Sequence, residues 1–351
     1  MHDYFLDVET VRLAVVIGVI ISTLFYERVQ LTTGGAIVPG YLAIFIPAPL
    51  FIVVTLLSAY LTFFIVNRLL AKRYILYGRR KYEVEILVAL VIVAAWVALA
   101  HFVVHFNPLL SALYGIGFII PAVIAHDMFR QGLRKTLTAV LVNVAIVGLF
   151  IYVFFSLTRI APWSGEAAAA GPRSADWNYP VDLLTLGGGD FGYSIDLLLP
   201  AIFVSVLAGV LVFARLGLRT GGFVVGAYLA LVLLRPLDLL YALIISVATY
   251  FFVTKFLMNH LLIFGRRKLS MMILIASIFA WSGEIALDLL TSGQYVPWRG
   301  FHVITLMVPA LLANDAQRQG IYRTLWGAGI TTVAVFTVVN LLDAARLYFG
   351  L

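Results

Sequence analysis

The chain has 351 residues, of which 63% are hydrophobic and only 12% are charged, and its formal net charge is +7. Soluble globular domains carry about 25% charged residues, so this composition excludes a soluble globular protein. The absence of cysteine excludes disulfides, thiolate nucleophiles and cysteine-bound metals. Because the apolar stretches are continuous rather than alternating, they predict membrane-spanning α-helices and not a transmembrane β-barrel.

Eight apolar runs are long enough to span a bilayer, whose hydrocarbon core of about 30 Å requires about 20 helical residues. In chain order they lie at 11–26, 50–71, 84–104, 136–157, 195–214, 237–258, 269–291 and 324–343. Four shorter runs, each containing Gly or Pro, lie between them at 34–46, 113–126, 221–234 and 301–314. The acidic start MHDYFLDVET lacks the pattern of a signal peptide, so we expect the first run to be retained as a helix.

The sequence repeats itself. Residues 33–82 and 220–269 align without a gap at an offset of 187, so that TGGAIVPGYLA meets TGGFVVGAYLA and YGRRK meets FGRRK. Further on, residues 119–137 align with 306–325. We therefore predict an all-α integral membrane protein built from two tandem repeats, 1–157 and 195–351. Residues 158–194, rich in Ala, Gly, Pro and Ser, form the predicted extracytoplasmic connector.

Each half also contains a weaker internal repeat with the pattern small–x–aliphatic–aliphatic–Pro/Gly–small–x–aliphatic–Ala. If all twelve runs cross the membrane and the N-terminus lies outside, each half has four long and two short segments in an inverted 3+3 arrangement. The cytoplasmic loops then hold every Lys and Arg except Arg12, Arg159, Arg173, Arg235, Arg299 and Arg346. This bias has the sign that the positive-inside rule requires and places both termini outside.

A rival topology has the short runs dip into the membrane and return on the same side. The basic clusters at 79–81 and 130–135 would then lie on opposite faces, against the charge rule.

The broken short runs predict a polar cavity or permeation path. A backbone group freed in hydrocarbon costs several kcal/mol unless protein or water satisfies it, so the breaks should avoid lipid. The candidate residues are Gly35, Pro39, Gly117, Pro121, Gly222, Gly226 and Pro309. The alternative is that they are packing kinks, at which small residues let helices approach closely.

Two further motifs are spelled alike in both halves. The GRRK clusters supply a predicted docking surface for an acidic partner or polyanion, or else topology anchors on lipid phosphates; their residues are Arg79, Arg80, Lys81, Arg266, Arg267 and Lys268. A D-x-x-R-Q-G motif follows each broken run at the predicted inner mouth. Its Asp and Arg, three residues apart, can pair on a helix face and order this mouth; the alternative is that the motif is a structural helix terminus. Its residues are Asp127, Arg130, Gln131, Gly132, Asp315, Arg318, Gln319 and Gly320.

Intramembrane carboxylates are costly and often functional, which singles out Glu284 and Asp288 in the run 269–291. No cation is evident opposite them in the sequence, and Asp288 lies close enough to the outer end to be hydrated. His101 and His105, four residues apart, resemble half a metal site, but no third ligand is evident. We predict no metal site.

The chain contains no nucleotide-binding loop, no G-x-S-x-G and no H-E-x-x-H. No catalytic residue is therefore assigned, and we expect the chain by itself not to be an enzyme. Nothing indicates nucleic-acid binding.

The motifs resemble those of the CapC/PgsC family, the membrane subunit of bacterial poly-γ-glutamate synthase. The matching segments, in the family's order, are Gly35–Leu42, Ile75–Lys81 and Ile119–Leu133. A typical member is about half as long as this chain. Gly226 stands where the first copy has its proline, and Ala122 and Ala310 stand where the family has glycine.

The resemblance implies a bacterial plasma-membrane subunit that docks a cytosolic ligase related to the Mur ligases and helps to export an anionic polymer. ATP and a divalent metal would belong to that ligase, and this chain would hold no cofactor. A small membrane-anchored extracytoplasmic subunit would be a further partner. Two alternatives remain open, a stand-alone secondary transporter of a small anion and a purely structural anchor for the ligase.

Overall fold

A computed structural model describes residues 8–76, 78–103, 117–160, 191–261, 263, 265–291, 295, 297–298 and 304–349. The regular secondary structure of the described residues is entirely helical, without a strand among them. The helices are α1 (Val8–Val29), α2 (Val38–Ala43), α3 (Pro49–Phe64), α4 (Gly78–Val103), α5 (Ile120–Gln131), α6 (Leu133–Ile160), α7 (Leu198–Leu216), α8 (Val225–Leu231), α9 (Pro236–Phe251), α10 (Arg266–Thr291), α11 (Ile304–Gln319) and α12 (Ile321–Phe349). Short 3₁₀ and π-helical pieces flank α7 (Ile195–Leu197), α3 (Ile65–Leu70) and α9 (Phe252–Leu257, followed by Met258–His260).

The eight long runs predicted from the sequence are confirmed as helices. Among the described residues, eight helices are long and apolar enough to cross a membrane, namely α1, α3, α4, α6, α7, α9, α10 and α12. Only 22% to 44% of the residues in each span are buried inside the protein. The remaining apolar side chains face outward, as expected of helices surrounded by lipid.

The helices α3 and α9 share their local design. Each begins with a proline in its first turn, Pro49 or Pro236, where the missing backbone N–H breaks no helical hydrogen bond. Each then passes from α- to π-helix at positions 187 residues apart, after Phe64 and Phe251.

The short helix α2 lies in a segment, residues 34–46, that runs lengthwise along the bundle. Its six residues are about 9 Å long at 1.5 Å per residue. The segment starts with Gly34 beside the end of α5, continues with Gly40 against Gly18 of α1, and reaches Ile46 against Gly148 of α6. Gly148 lies 15 residues into α6, so the segment rises by about 22 Å.

The segment around α8 climbs in the same way along α12. Arg219 lies against Gly327, and Gly226 lies against Thr331 four residues further along that helix. Beyond α8, the carbonyl oxygen of Leu231 accepts a hydrogen bond from Gly192 N, and the Gly192 carbonyl oxygen accepts one from Asn340 Nδ2 at 3.0 Å. From Gly327 to Asn340 the rise is about 20 Å.

Helices of one half pack into the core of the other. Buried residues of α4, including Ile86 and Leu90, lie in one apolar cluster with Ile202 of α7 and Leu231 of α8. Conversely, Val19 of α1 packs with residues of α10 and α11. The two halves therefore share their cores.

Candidate functional site

The polar contacts of the bundle concentrate at one end, which we call the basic end. It is formed by the C-terminal ends of α1, α3, α5, α7, α9 and α11, including the π-helical turns that follow α3 and α9, and by the N-terminal ends of α4, α6, α10 and α12. The contacts that join these ends are Lys81 Nζ to Asn67 Oδ1 (2.6 Å), Arg267 Nε to Glu27 Oε1 (2.9 Å), Lys268 Nζ to Gln317 Oε1 (2.5 Å), Arg323 Nη2 to Gly217 O (3.5 Å), and the Arg79 guanidinium to the Phe213 ring centroid (3.5 Å). Both GRRK clusters and both D-x-x-R-Q-G motifs thus lie together.

The first D-x-x-R-Q-G motif clamps the loop that follows α1. Gln131 Oε1 accepts the Thr32 N–H at 2.8 Å, and Gln131 Nε2 donates to the Thr32 carbonyl at 2.6 Å and to Thr136 Oγ1 at 3.0 Å. Asp127, which is 1% exposed, accepts the Gly34 N–H at 3.0 Å. These bonds satisfy backbone groups that would otherwise be buried without partners.

The second motif repeats the clamp. Gln319 Oε1 accepts the Arg219 N–H and Gln319 Nε2 donates to the Arg219 carbonyl, both at 2.8 Å. Gln319 Nε2 also donates to Thr324 Oγ1 at 3.0 Å. Asp315 accepts a backbone hydrogen bond from Gly221 and lies 3.8 Å from the Arg219 guanidinium.

The two remaining residues of each motif have different roles: the glycine ends the helix, and the arginine lies exposed on the surface. Gly132 and Gly320 have φ of 91° and 92°, a left-handed conformation that favours glycine, and they end α5 and α11. Arg130 and Arg318 are exposed. The motif therefore combines structural residues with one accessible arginine per half.

The first GRRK cluster splits in a similar way. Arg79 pairs with Glu83 at 2.7 Å, whereas Arg80 is exposed. Lys81 is buried and its Nζ lies 2.6 Å from the Phe129 ring centroid. In the second cluster Lys268 is likewise buried, and Arg267 is 48% exposed; the Arg266 side chain lies outside the described residues.

Exposed cations dominate the surface of the basic end. They are Arg28, Arg68, Lys72, Arg73, Arg80, Arg130, Arg134, Lys135, Arg215, Lys255, Arg267, Arg318 and Arg323. By contrast, three carboxylates at this end, Glu83, Glu85 and Asp127, are buried. The described surface thus presents a strongly positive field.

The predicted path residues lie in different surroundings from one another. Pro39 and Pro121 are buried and occupy the first turns of α2 and α5, so they begin helices instead of breaking them. Pro309 lies inside the continuous helix α11. Gly226 in α8 packs against Thr331 and Ser205, with no room for a side chain.

The three remaining path glycines have positive φ, of 105° at Gly35, 62° at Gly117 and 112° at Gly222. They lie in the turns before α2, α5 and α8. Of the seven predicted path residues, Gly35 is the one that lines the cavity described next.

A cavity of about 210 Å³ opens at the basic end between α1, α5 and α10. Its lining consists of Ser22, Thr23, Tyr26, Thr32, Thr33, Gly35, Ala36, Tyr82, Val123, His126, Asp127, Arg267, Leu269 and Ser270. Next to it, His126 Nδ1 lies 2.7 Å from a carboxylate oxygen of the fully buried Glu85. Among the described residues, no three potential metal ligands cluster together.

Sequence reasoning missed this cavity because its residues come from two halves. Two features of the sequence pointed toward it. Three hydroxyl-bearing residues, Ser22, Thr23 and Tyr26, lie near the end of α1, and His126 aligns with a different residue, Asn314, in the second half.

At the end of the bundle opposite the basic end, a region given the label outer end, the expectation that no cation lies near Glu284 was wrong. Arg12 is 1% exposed and donates from Nη1 and Nη2 to the Glu284 carboxylate at 2.5 and 2.9 Å. Sequence reasoning missed the pair because its members are 272 residues apart. Asp288 is exposed. The side chains of His101 and His105 lie outside the described residues.

A second outer-end network surrounds Asp238. Its carboxylate pairs with Arg235 at 2.9 Å and accepts hydrogen bonds from the Tyr295 hydroxyl (2.6 Å) and the Trp298 N–H (3.0 Å). Burial first, and then the Asp238 charge, raise the pKa of the Tyr295 phenol, which keeps it a donor. This network fixes the described part of the loop between α10 and α11.

Comparison with known proteins identifies the family. The family model described as capsule biosynthesis CapC matches the chain twice, over residues 17–137 and 204–325. The chain belongs to the capsule biosynthesis CapC family. Each matched CapC segment contains one GRRK cluster and one D-x-x-R-Q-G motif, the residues that build the basic end.

Two curated CapC relatives are about half as long as this chain. The PGA biosynthesis protein CapC of Bacillus subtilis (strain 168) is 35% identical over 142 residues, which are 40% of this chain and 93% of the relative. The capsule biosynthesis protein CapC of Bacillus anthracis is 34% identical over 145 residues, or 41% and 95%. No solved structure matches the chain.

Proposed function

We propose that this CapC-family chain is the membrane subunit of a synthase for an anionic capsule polymer of the poly-γ-glutamate type. Its basic end would dock a cytosolic ATP-dependent amide ligase and guide the growing polymer toward export. The observation that carries the proposal is the concentration of exposed arginines and lysines at one end of the bundle. The names of the two relatives, which refer to capsule and PGA biosynthesis, supply the polymer class.

The proposal includes a topology in which the four short segments also cross the membrane. The contacts at the basic end favour it, because Lys81 at the start of α4 lies against Phe129 at the end of α5. Re-entrant short segments would put these two ends on opposite faces. The climb of residues 34–46 by about 22 Å agrees with crossing. Each half is then one CapC copy of six segments in inverted 3+3 symmetry.

The charge distribution supports the proposed orientation. Cytoplasmic loops of membrane proteins carry an excess of Lys and Arg, so the basic end faces the cytosol of the bacterial plasma membrane. Both termini and the connector 158–194 then lie outside. The small extracytoplasmic subunit would bind on that side, whereas ATP and the divalent metal would be bound by the ligase.

Electrostatics explains why this end suits the task. A polymer with one carboxylate per residue is attracted to a positively charged surface. Such attraction raises both the local concentration of the polymer and the rate at which it associates with the surface. The ligase would gain from the same field if its docking surface is acidic. Since exposed charges are screened by salt over about 10 Å at 0.1 M, the association should weaken as ionic strength rises.

The experiment replaces Arg80 and Arg130 by glutamine in cells that depend on this chain for polymer production. Both side chains are exposed, and substitutions at exposed positions usually change stability little, so expression should stay normal. We expect several-fold less polymer and less ligase recovered with the tagged chain. Arg346→Gln, an exposed arginine at the outer end, is the matched control. Unchanged polymer and ligase recovery in the double variant would refute the proposal.

The two alternative functions make different predictions. A stand-alone anion transporter predicts uptake of a small carboxylate into liposomes that contain only the purified chain. A purely structural anchor predicts normal ligase recovery, and normal polymer secretion, after substitution of Pro39, Pro121 and Pro309.

A further inference from the structure

The cavity at the basic end distinguishes the two halves. At the offset of 187, Tyr26 aligns with Phe213 and Ala36 aligns with Phe223. In the second half the Arg79 guanidinium lies 3.5 Å from the Phe213 ring centroid and 5.9 Å from that of Phe223. Aromatic rings with a stacked arginine thus fill the space in the second half that stays open in the first.

Polar groups of both halves face the open cavity. Hydroxyl groups line the cavity from α1 and the following loop on one side and from α10 on the other; they belong to Ser22, Thr23, Tyr26, Thr32, Thr33 and Ser270. Three of them are engaged within the protein, because Thr23 donates to Val19 O, Thr33 donates to Gly35 O and Ser22 bonds to Thr33 Oγ1. The buried Thr32 Oγ1 has no hydrogen-bond partner among the described residues. Arg267, a residue of the second half, supplies a guanidinium. Hydroxyls and a guanidinium are the donors that proteins use to bind anions.

The acidic groups near the cavity are engaged elsewhere. Asp127 accepts the backbone N–H of Gly34, and Glu85 is fully buried behind His126, which it contacts at 2.7 Å. These two carboxylates also limit the positive charge at the site, which disfavours a doubly charged phosphate relative to a singly charged anion.

The structure also shows a carboxylate at Arg267. Glu27 Oε1 lies 2.9 Å from Arg267 Nε, and the two side chains are 40% and 48% exposed. Ion pairs this exposed contribute little net stability, so another carboxylate can displace Glu27 at little cost.

We propose that this cavity is a binding site for a carboxylate ligand, in which Arg267 exchanges the Glu27 carboxylate for that of the ligand. The ligand's carboxylate accepts hydrogen bonds from the guanidinium and from the hydroxyls of Thr32 and Ser270. A volume of about 210 Å³ corresponds to roughly seven water molecules at about 30 Å³ each, enough for one amino-acid-sized group. Among the described residues, the open site of the first half thus corresponds to a place in the second half that Phe213, Phe223 and the Arg79 guanidinium occupy.

The carboxylate class follows from the cavity itself, whereas its source rests on the proposed function. Free glutamate and a residue of γ-linked polymer present the same chemistry. Glutamate and a γ-linked glutamate tetramer are therefore used as separate probes.

The test measures binding of each probe to the purified full-length chain in detergent by isothermal titration calorimetry. Arg267→Gln should weaken binding about 10-fold or more, since it removes charge-assisted hydrogen bonds. Glu27→Gln should tighten binding up to about fivefold, because the internal competitor is gone. Ala36→Phe, which copies the second half, should abolish binding, and Arg346→Gln should leave it unchanged.

Tighter binding of the tetramer would assign the site to the polymer, and binding of glutamate alone would assign it to the monomer; both support the site. Failure of both probes to bind would overturn the inference, as would equal binding by the wild type, Arg267→Gln and Ala36→Phe. If Ala36→Phe does not fold, the opposite effects of Arg267→Gln and Glu27→Gln still decide. Because no ligase is present, a negative result leaves the docking proposal to its own test.

Discussion

The Arg12–Glu284 pair should stabilise the association of the two halves at the outer end. Arg12 lies near the start of α1 and Glu284 lies near the end of α10. Two hydrogen bonds, of 2.5 and 2.9 Å, join the guanidinium to the carboxylate and fix their geometry. Replacing Arg12 by methionine removes the cation but leaves a carboxylate that is 13% exposed. Removal of one partner from a buried pair costs about 3–5 kcal/mol.

The residual exposure of Glu284 favours the lower limit, about 3 kcal/mol. At about 2 °C per kcal/mol, the thermal midpoint of Arg12→Met should fall by about 6 °C. Glu284→Met should lower the thermal midpoint by a similar amount, since it removes the carboxylate that Arg12, the more deeply buried member of the pair, contacts. The double variant should lose less than the sum of the two, by at least about 1 kcal/mol, because it leaves no unpaired charge.

The assay is thermal unfolding of the detergent-purified variants, followed by intrinsic fluorescence and by the loss of the monodisperse peak in size-exclusion chromatography. Asp288→Asn is the control, since that carboxylate is exposed one turn further along the same helix. Strictly additive single-variant effects, or midpoints equal to that of the wild type, would refute the assignment of a coupled buried pair.

Three other predictions concern residues whose roles the structure separates, and each is read from the same thermal midpoint. Gln131→Ala removes three hydrogen bonds at about 1 kcal/mol each and should cost about 3 kcal/mol, whereas the exposed Arg130→Gln should stay within about 0.5 kcal/mol; equal midpoints for the two would contradict the clamp. Asp238→Asn should lower the midpoint by the equivalent of about 2–4 kcal/mol, since it weakens the support of Trp298, and an unchanged midpoint would show that the network is dispensable. Pro309→Ala should not lower the midpoint, because alanine suits a continuous helix better; a clear loss of stability would indicate that the proline shapes α11.

Composition and hydrophobic run length were sufficient to predict the long helices, because burial in hydrocarbon leaves one solution for a backbone of about 20 apolar residues. The equivalence of the two GRRK clusters could also be predicted, because both clusters have the same four residues in the same order. Nothing in the spelling distinguishes Arg80 from Lys81, however. Helical rotation turns one toward solvent and the other toward Asn67.

The proline motif was harder to interpret. A proline in an apolar run predicts a broken helix, yet Pro39 and Pro121 begin helices, and only contacts made elsewhere in the fold decide where a helix starts. The Arg12–Glu284 pair and the cavity were out of reach for a different reason. Both depend on helices of one half inserting into the other, and a single sequence does not record which segments meet.

The central claim is that all the basic loops lie on the cytosolic face, and the absence of native cysteine makes it directly testable. Single variants Arg80→Cys, Arg130→Cys and Arg346→Cys would be treated in intact cells with a maleimide that cannot cross the plasma membrane, and then again after permeabilisation. The account predicts that Arg346→Cys is labelled in intact cells, whereas Arg80→Cys and Arg130→Cys are labelled only after permeabilisation. Labelling of Arg80→Cys but not Arg130→Cys in intact cells would place the two motifs on opposite faces and contradict it.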